Sequence, residues 1–168
     1  MPLLIDTDYS NLFKNELEKL NLLFYQFERI LSNSLPEIYF YLRNNNITPG
    51  YFVSPWFITI FTDAFLDKPE LNNNKIIMKV FDLFIFGGWK AIIKIGMSLL
   101  KYNEFKILNT PNEELLNYLT NDIIKSKYFG KGNIYEIMNA SIKFKINGKM
   151  LEETEKQYYF LKALPPLE

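Results

Sequence analysis

A chain of 168 residues, 48% hydrophobic and 23% charged, can bury one ordinary core and leaves little room for a second. Nineteen basic residues offset nineteen acidic ones, so no overall field draws nucleic acid or an anionic membrane to the surface, and only local patches could do so. With no Cys there are no disulfides, thiolate chemistry or cysteine-based zinc sites, and with no His most hydrolase triads are excluded.

Met1-Pro2-Leu3-Leu4-Ile5 runs at once into Asp6 and Asp8, without the apolar run and basic flank of a signal peptide, which favours a cytoplasmic protein. A first helix is expected from about Tyr9 through Leu31, bent near Asn21, with Phe13, Leu17, Leu20, Phe24, Phe27 and Leu31 forming its buried stripe. The next boundaries share one device, a Ser or Thr beside a Pro that opens a helix: Thr48-Pro49, Ser54-Pro55 and Thr110-Pro111. Ser34-Leu35-Pro36-Glu37 and Thr110-Pro111-Asn112-Glu113 also carry the spacing of a capping box. The Ser34 helix ends at Arg43-Asn44-Asn45-Asn46. The helix opened by Ser54 is polar only at Thr59, Thr62 and Asp63 before Asp67, which predicts a central element buried on almost every side.

Pro69 and Asn72-Asn73-Asn74 make a turn, after which Ile76, Ile77, Val80, Phe81, Phe84 and Ile85 continue at helical spacing to a stop at Gly87-Gly88. Trp89 to Lys101 forms another helix, with Gly96 allowing a neighbour to come close and Lys90 and Lys94 one turn apart on one face. From Phe81 to Leu100 the chain is apolar, but Asp82, Lys90 and Lys94 interrupt it and a spanning helix needs roughly 20 nearly uncharged residues, so no integral membrane segment is expected. Glu113 to Lys125 is amphipathic, Gly130-Lys131-Gly132 is a joint, Ile134 to Phe144 is helical, Asn147-Gly148 is a tight turn, and Glu152 to Leu161 is a last, charged helix. Ile142 to Ile146 alternates like a strand, but no second strand follows it, so it is read as helix to turn.

Candidate chemistry is sparse. Asp63 and Asp67 lie four apart but lack a third metal ligand. Asp82, flanked by Phe81, Leu83 and Phe84, reads as a paired acid near buried surface more readily than as a catalytic carboxylate. Lys125, Lys127 and Lys131 around Tyr128-Phe129 could stack on nucleic acid or touch lipid, yet lysines at a helix end also complement its dipole. Neither Gly87-Gly88 nor Gly130-Lys131-Gly132 has the ending of a phosphate loop. No catalytic residue, cofactor, metal ligand or nucleic-acid partner is assigned.

The landmarks from Phe24-Tyr25-Gln26-Phe27-Glu28 through Leu35-Pro36-Glu37, Ile47-Thr48-Pro49, Pro55-Trp56-Phe57, Phe81-Asp82-Leu83-Phe84 and Gly88-Trp89-Lys90 to Ser98-Leu99-Leu100 follow one another in a specific order. In that order the chain resembles the C-terminal half of a TBC domain, the helical domain of Rab GTPase-activating proteins. The resemblance implies an all-α, multi-helix domain over residues 1–168, with the core match at about 20–125 and C-terminal helices over 126–168. It marks Pro55, Trp56, Phe57, Asp82 and Gly88 as family-signature residues with a structural role. Two positions depart from the pattern: Phe81 stands where Trp is typical, and Gly87 where an acid or amide precedes the Gly.

Activation in that family is understood to use an Arg in an Ile-x-x-Asp-x-x-Arg helix and a Gln in Tyr-x-Gln. Only two Arg and two Gln occur here. Arg29 has Gln26 where the motif wants Asp, Arg43 has Glu37 and Phe40 at the corresponding places, Gln26 follows Tyr25 without a spacer, and Gln157 follows Lys156. None matches. The expectation is therefore a truncated domain, inactive alone, that supports a Rab-family small GTPase partner when joined to the finger-bearing lobe. A cytoplasmic setting peripheral to vesicle membranes, a role in vesicle trafficking, and self-association through an exposed lobe surface accompany that reading. The alternatives are a non-catalytic interaction module with a partner groove and a peripheral lipid-binding helical protein.

Overall fold

The computed structural model describes residues 6–66, 73–124 and 133–165, all helical or loop, with no strand among them. Ten helices occur in this described part: α1 (Asp6–Ser34), α2 (Pro36–Asn44), α3 (Gly50–Ile58), α4 (Thr62–Leu66), α5 (Asn73–Gly87), α6 (Trp89–Tyr102), α7 (Glu104–Leu108), α8 (Asn112–Asn117), α9 (Asn133–Ser141) and α10 (Gly148–Ala163). The side chains of Phe13 and Asp67, and Pro69, Asn72, Lys125, Lys127, Tyr128, Phe129, Gly130, Lys131 and Gly132, lie outside the described residues. The expected all-α class holds, and Ile142–Ile146 passes from helix to turn without forming a strand.

The centre is α6, which touches α1, α3, α5, α7 and α9. Its Ile92, Ile93, Ile95, Met97, Leu99 and Leu100 are all buried. The sequence pointed instead to the Ser54 segment, and the difference has a definite cause. That segment is not one helix: Ile60 (φ 50°) and Phe61 (φ 61°) adopt left-handed backbone between α3 and α4. An L-residue pays roughly 1–2 kcal/mol for that conformation. Phe61 compensates by stacking on Trp56 at 5.2 Å while its amide donates to the Trp56 carbonyl at 3.0 Å. Tyr51 and Ile58 consequently face solvent, so α3 is buried on fewer sides than its composition implied.

The Ser/Thr-Pro device stands at the starts of α3 (Thr48-Pro49) and α8 (Thr110-Pro111) without capping them, and at Ser54-Pro55 it marks no start. Ser34 is the last residue of α1, Ser54 and Pro55 lie inside α3, and none of α2, α3 or α8 has a side-chain cap. The hydroxyls look backward instead: Ser54 Oγ donates to the Gly50 carbonyl, and Thr110 Oγ1 to the Lys106 carbonyl at 2.6 Å. A hydroxyl one turn after a backbone carbonyl has that nearer alternative to capping. Asn147 does cap: its Oδ1 accepts from the Met150 amide at 2.9 Å to open α10, where the sequence suggested a tight turn.

Two further differences concern faces, and a third the helical ladder. α1 is a single helix of 29 residues, with Phe27 and Leu31 fully buried, Leu20 and Phe24 packed on the core, and Leu17 exposed. In α5 the buried residues are Ile76 and Val80, with Phe81 and Ile85 turned to solvent. A segment apolar on consecutive positions offers several stripes, and periodicity does not choose among them. Beyond α8 the ladder widens into a π-helical turn over Tyr118–Asp122, closed by the Ile123 amide on the Tyr118 carbonyl at 2.7 Å, and Leu115, Leu119, Ile123 and Ile124 all reach the core.

Buried and half-buried polar groups are tied down by hydrogen bonds within and between helices. Asn103 Nδ2 donates to the Leu99 carbonyl at 2.8 Å and its Oδ1 accepts from Tyr118 Oη at 2.9 Å, while Tyr41 Oη donates to the Thr110 carbonyl at 2.8 Å. Among the described residues Ser98 Oγ is a buried side-chain oxygen with no partner. A buried unsatisfied hydroxyl costs about 1–3 kcal/mol, so Ser98→Ala is expected to leave stability unchanged or raise it, read as the midpoint of urea unfolding. A clear loss of stability would mean the hydroxyl is bonded.

Candidate interaction surface

An aromatic chain joins α1, α3, α5 and α6. Phe24 and Phe27 of α1 meet the Phe57 ring edge-on at 6.1 and 6.0 Å, and Phe27 and Phe52 meet Trp56 at 6.3 and 5.5 Å. Phe57 continues to Trp89 at 6.0 Å, and Trp89 to Phe84 at 5.0 Å. Edge-to-face pairs at such spacing add to the burial of large apolar area. The absence of a side chain at Gly96 makes the junction possible: a Cβ there would stand 2.8 Å from Phe27 Cε2 and 3.3 Å from the Trp56 ring.

Four of the five family-signature residues, Pro55, Trp56, Phe57 and Gly88, fall around this junction. Trp56 and Phe57 are each 2% exposed, and Pro55 is half-buried within α3. Gly88 stands between α5 and α6 with φ 59°, a left-handed conformation that favours glycine, and its amide donates to the Phe84 carbonyl at 2.7 Å. Gly87, the departure beside it, would bring a Cβ to 2.9 Å from that of Ala91, so a larger residue requires the corner to shift. Asp82 is exposed on α5, away from the buried pairing expected of it, because the α5 face that carries it points to solvent.

Where α1 passes the end of α3 and the start of α6, a cleft of about 310 Å³ opens, lined by Glu16, Leu17, Lys19, Leu20, Leu23, Phe57, Ile58 and Trp89. Its floor is the aromatic chain and its rim carries the exposed Leu17 and Ile58. The sequence gives no sign of it, because its walls come from three segments far apart in the chain.

The residues capable of catalysis are placed elsewhere. Gln26 is buried and its Nε2 donates to the Leu151 carbonyl at 2.9 Å, holding α10 on α1. Tyr25 against Tyr158 at 5.5 Å and Lys162 Nζ on Glu18 Oε1 at 2.6 Å complete that contact, and the Glu18 hydrogen bond holds the Lys162 ammonium above its ordinary value. Arg43 lies 3.8 Å from Glu28 on the surface, and Arg29 and Gln157 are exposed. Among the described residues no three His, Cys, Asp or Glu side chains could together hold a metal ion, and no helix is long and apolar enough to cross a membrane.

Lys90 and Lys94 share one face of α6. The Lys94 ammonium is held below its ordinary value, first because partial burial strips its water and second because Lys90 repels it. The charged form is the one penalised, so the cost is present at neutral pH and fades as pH rises through the lowered value toward 10.5. Lys94→Gln is therefore expected to raise Tm at neutral pH and to lose that advantage near the ordinary lysine value, as followed by calorimetry across pH. An unchanged Tm at neutral pH would contradict this.

Set beside known proteins, the helical architecture and its signature junction define a class. A family model described as RabGAP TBC domain matches residues 1–159, and the chain belongs to that family. It is 27% identical over 161 residues to the human "Ecotropic viral integration site 5 protein homolog", covering 96% of this chain and 19% of that protein. To the Caenorhabditis elegans "Rab GTPase-activating protein tbc-11" it is 27% identical over 154 residues, covering 92% of this chain and 16% of that one. To the mouse "TBC1 domain family member 4" it is 29% identical over 118 residues, or 70% of this chain and 8% of that protein. The chain thus spans less than a fifth of the length of these curated relatives.

Proposed function

We propose that this chain is the C-terminal lobe of a TBC domain, a single helical domain over residues 1–168 with its core match at about 20–125 and C-terminal helices over 126–168. In the joined protein it braces the lobe that carries the catalytic fingers and extends the surface facing a Rab-family small GTPase. Alone it activates no GTPase. Its setting is cytoplasmic, peripheral to vesicle membranes and connected with vesicle trafficking, and its exposed apolar surface favours self-association. Pro55, Trp56, Phe57, Asp82 and Gly88 act as structural markers.

One observation carries this reading: of the four Arg and Gln side chains two are employed otherwise, and the other two, Arg29 and Gln157, stand exposed outside any finger motif. Gln26 holds α10 to α1 through the Leu151 carbonyl, and Arg43 lies beside Glu28. An arginine finger works because a guanidinium is aimed where charge builds on the transferring phosphoryl group, and it contributes roughly 10³–10⁵ in rate. Nothing around Arg29 or Arg43 provides such aim. The name of the tbc-11 relative, a Rab GTPase-activating protein, supports the choice of partner.

The test is single-turnover GTP hydrolysis by a panel of Rab proteins with and without this chain. An unchanged spontaneous rate is expected. Acceleration that disappears in Arg29→Ala or Arg43→Ala would establish a finger in this chain and overturn the proposal. The cleft beside Trp89 favours a second reading, a non-catalytic interaction module that takes up an apolar side chain between Leu17 and Ile58. Binding of a Rab protein that is abolished by Leu17→Asp without any change in hydrolysis would favour it.

A further inference from the structure

The pair Asn147-Gly148 occurs once in the chain, and both residues are exposed. It sets a carboxamide carbon, an electrophile, beside a main-chain nitrogen that no side chain shields. A Cβ built on Gly148 would meet nothing within 4 Å beyond its chain neighbours. The Gly148 N–H, in the first turn of α10, has no backbone acceptor among the described residues. The carboxamide is less free: Asn147 Oδ1 accepts from the Met150 amide at 2.9 Å, with the Asn147 backbone extended at φ −115° and ψ 169°. That bond holds the carboxamide over the helix end, so its carbon becomes available to the Gly148 nitrogen only when the first turn of α10 opens.

We propose that Asn147 is a site of spontaneous modification, converted through a cyclic imide to aspartate or isoaspartate, and that the cap on α10 gates the conversion. The Gly148 nitrogen bonds to Asn147 Cγ, the Cγ–Nδ2 bond breaks, and ammonia leaves with the proton from the Gly148 nitrogen. Water then opens the ring at one of its two carbonyls. Breaking the new bond to Cγ leaves aspartate in an ordinary chain. Breaking the bond to the main-chain carbonyl carbon leaves isoaspartate, in which the chain runs through Cβ and Cγ and is one atom longer. Water is the only reagent consumed.

The two products act on α10 in opposite directions. Aspartate keeps an oxygen for the Met150 amide and places a negative charge at the helix N-terminus, where it is favourable. Isoaspartate turns the capping oxygen into a main-chain carbonyl and displaces the first turn. That turn carries Leu151, whose carbonyl accepts from Gln26 at 2.9 Å. No side chain of α10 is fully buried, and the helix otherwise rests on α1 through the Tyr25–Tyr158 ring contact and the Lys162–Glu18 pair. With so few attachments, a displaced first turn loosens α10 from α1.

The intact chain, folded and in urea, is incubated in mildly alkaline buffer, and its proteolytic peptides are read by mass spectrometry for acid and isoaspartate. Asn109, Asn117 and Asn121 are exposed as well and serve as internal references, because Thr110, Tyr118 and Asp122 follow them with side chains that crowd the attacking nitrogen. Conversion is expected at Asn147 well ahead of all three. In urea, where helix stability plays no part, Gly148→Ala is expected to slow it several-fold. In the folded chain it is expected to run roughly fivefold slower than in urea, the factor that a helix cap supports. Hydrogen exchange then separates the products: α10 amides are expected to exchange faster in the isoaspartate form than in the parent, and no faster in Asn147→Asp. Conversion at Asn147 no faster than at the reference asparagines would overturn the site, and equal rates folded and in urea would overturn the gate. Unaltered exchange of α10 in the isoaspartate form would overturn its release.

Discussion

Trp56→Ala is expected to lower the unfolding free energy by about 3–5 kcal/mol, a large fraction of what a domain of this size possesses. Trp56 is 2% exposed and touches Phe27, Phe52 and Phe61, three rings from α1, α3 and the left-handed corner after it. Truncation therefore removes more than one side chain's transfer from water. It empties the space on which Phe61 stacks, and that stacking is what offsets the strained backbone at Ile60 and Phe61. Trp56→Phe retains a ring and is expected to cost appreciably less. Urea unfolding of both variants distinguishes the roles: a loss below about 1 kcal/mol for Trp56→Ala would mean that the indole is not a core group.

Gly96→Val is expected to be nearly as damaging, at about 3 kcal/mol, although it adds apolar atoms to a helix. The first added carbon already lies 2.8 Å from Phe27 Cε2. Phe27 has no room to retreat, because it is fully buried against Trp56 and Phe57. Gly96→Ala sets two effects against each other, a gain of about 1 kcal/mol in helix propensity and an overpacking cost of about 1–3 kcal/mol, and the immobile Phe27 decides for a net loss. Gly148→Ala is the control, since a Cβ there meets nothing within 4 Å. If Gly96→Ala were to stabilise the protein as Gly148→Ala should, α1 and α6 would not be in contact at this point.

The aromatic junction was legible in the sequence because its parts are large, apolar and ordered along the chain, and a core tolerates few ways of burying Trp56, Phe57 and Trp89 together. Gly96 and Gly88 were legible for a related reason, one giving close approach and the other a left-handed corner. Three things were not. The corner at Ile60-Phe61 has no local signature, since a β-branched and an aromatic residue disfavour the backbone they adopt and only the tertiary stack on Trp56 holds them there. The outward face of α5 was misassigned because Phe81, Leu83, Phe84, Ile85 and Phe86 are apolar on every side, so the choice of stripe depends on where α6 lies. The hydroxyls of Ser54 and Thr110 matched a cap by spacing, but each had a carbonyl of the preceding turn within reach. As for the interaction surface, Phe57 alone of the signature residues named from the sequence lines the cleft, which is assembled from α1, α3 and α6 and exists only once they pack.

As proposed, this chain supplies the scaffold of a Rab GTPase-activating domain and no guanidinium for its chemistry. The most direct measurement compares single-turnover GTP hydrolysis by a Rab protein in the presence of the chain alone and of the same chain joined to the finger-bearing lobe of a relative. The spontaneous rate is expected in the first case and an acceleration of roughly 10³–10⁵ in the second. Acceleration of that order by the unjoined chain would contradict it.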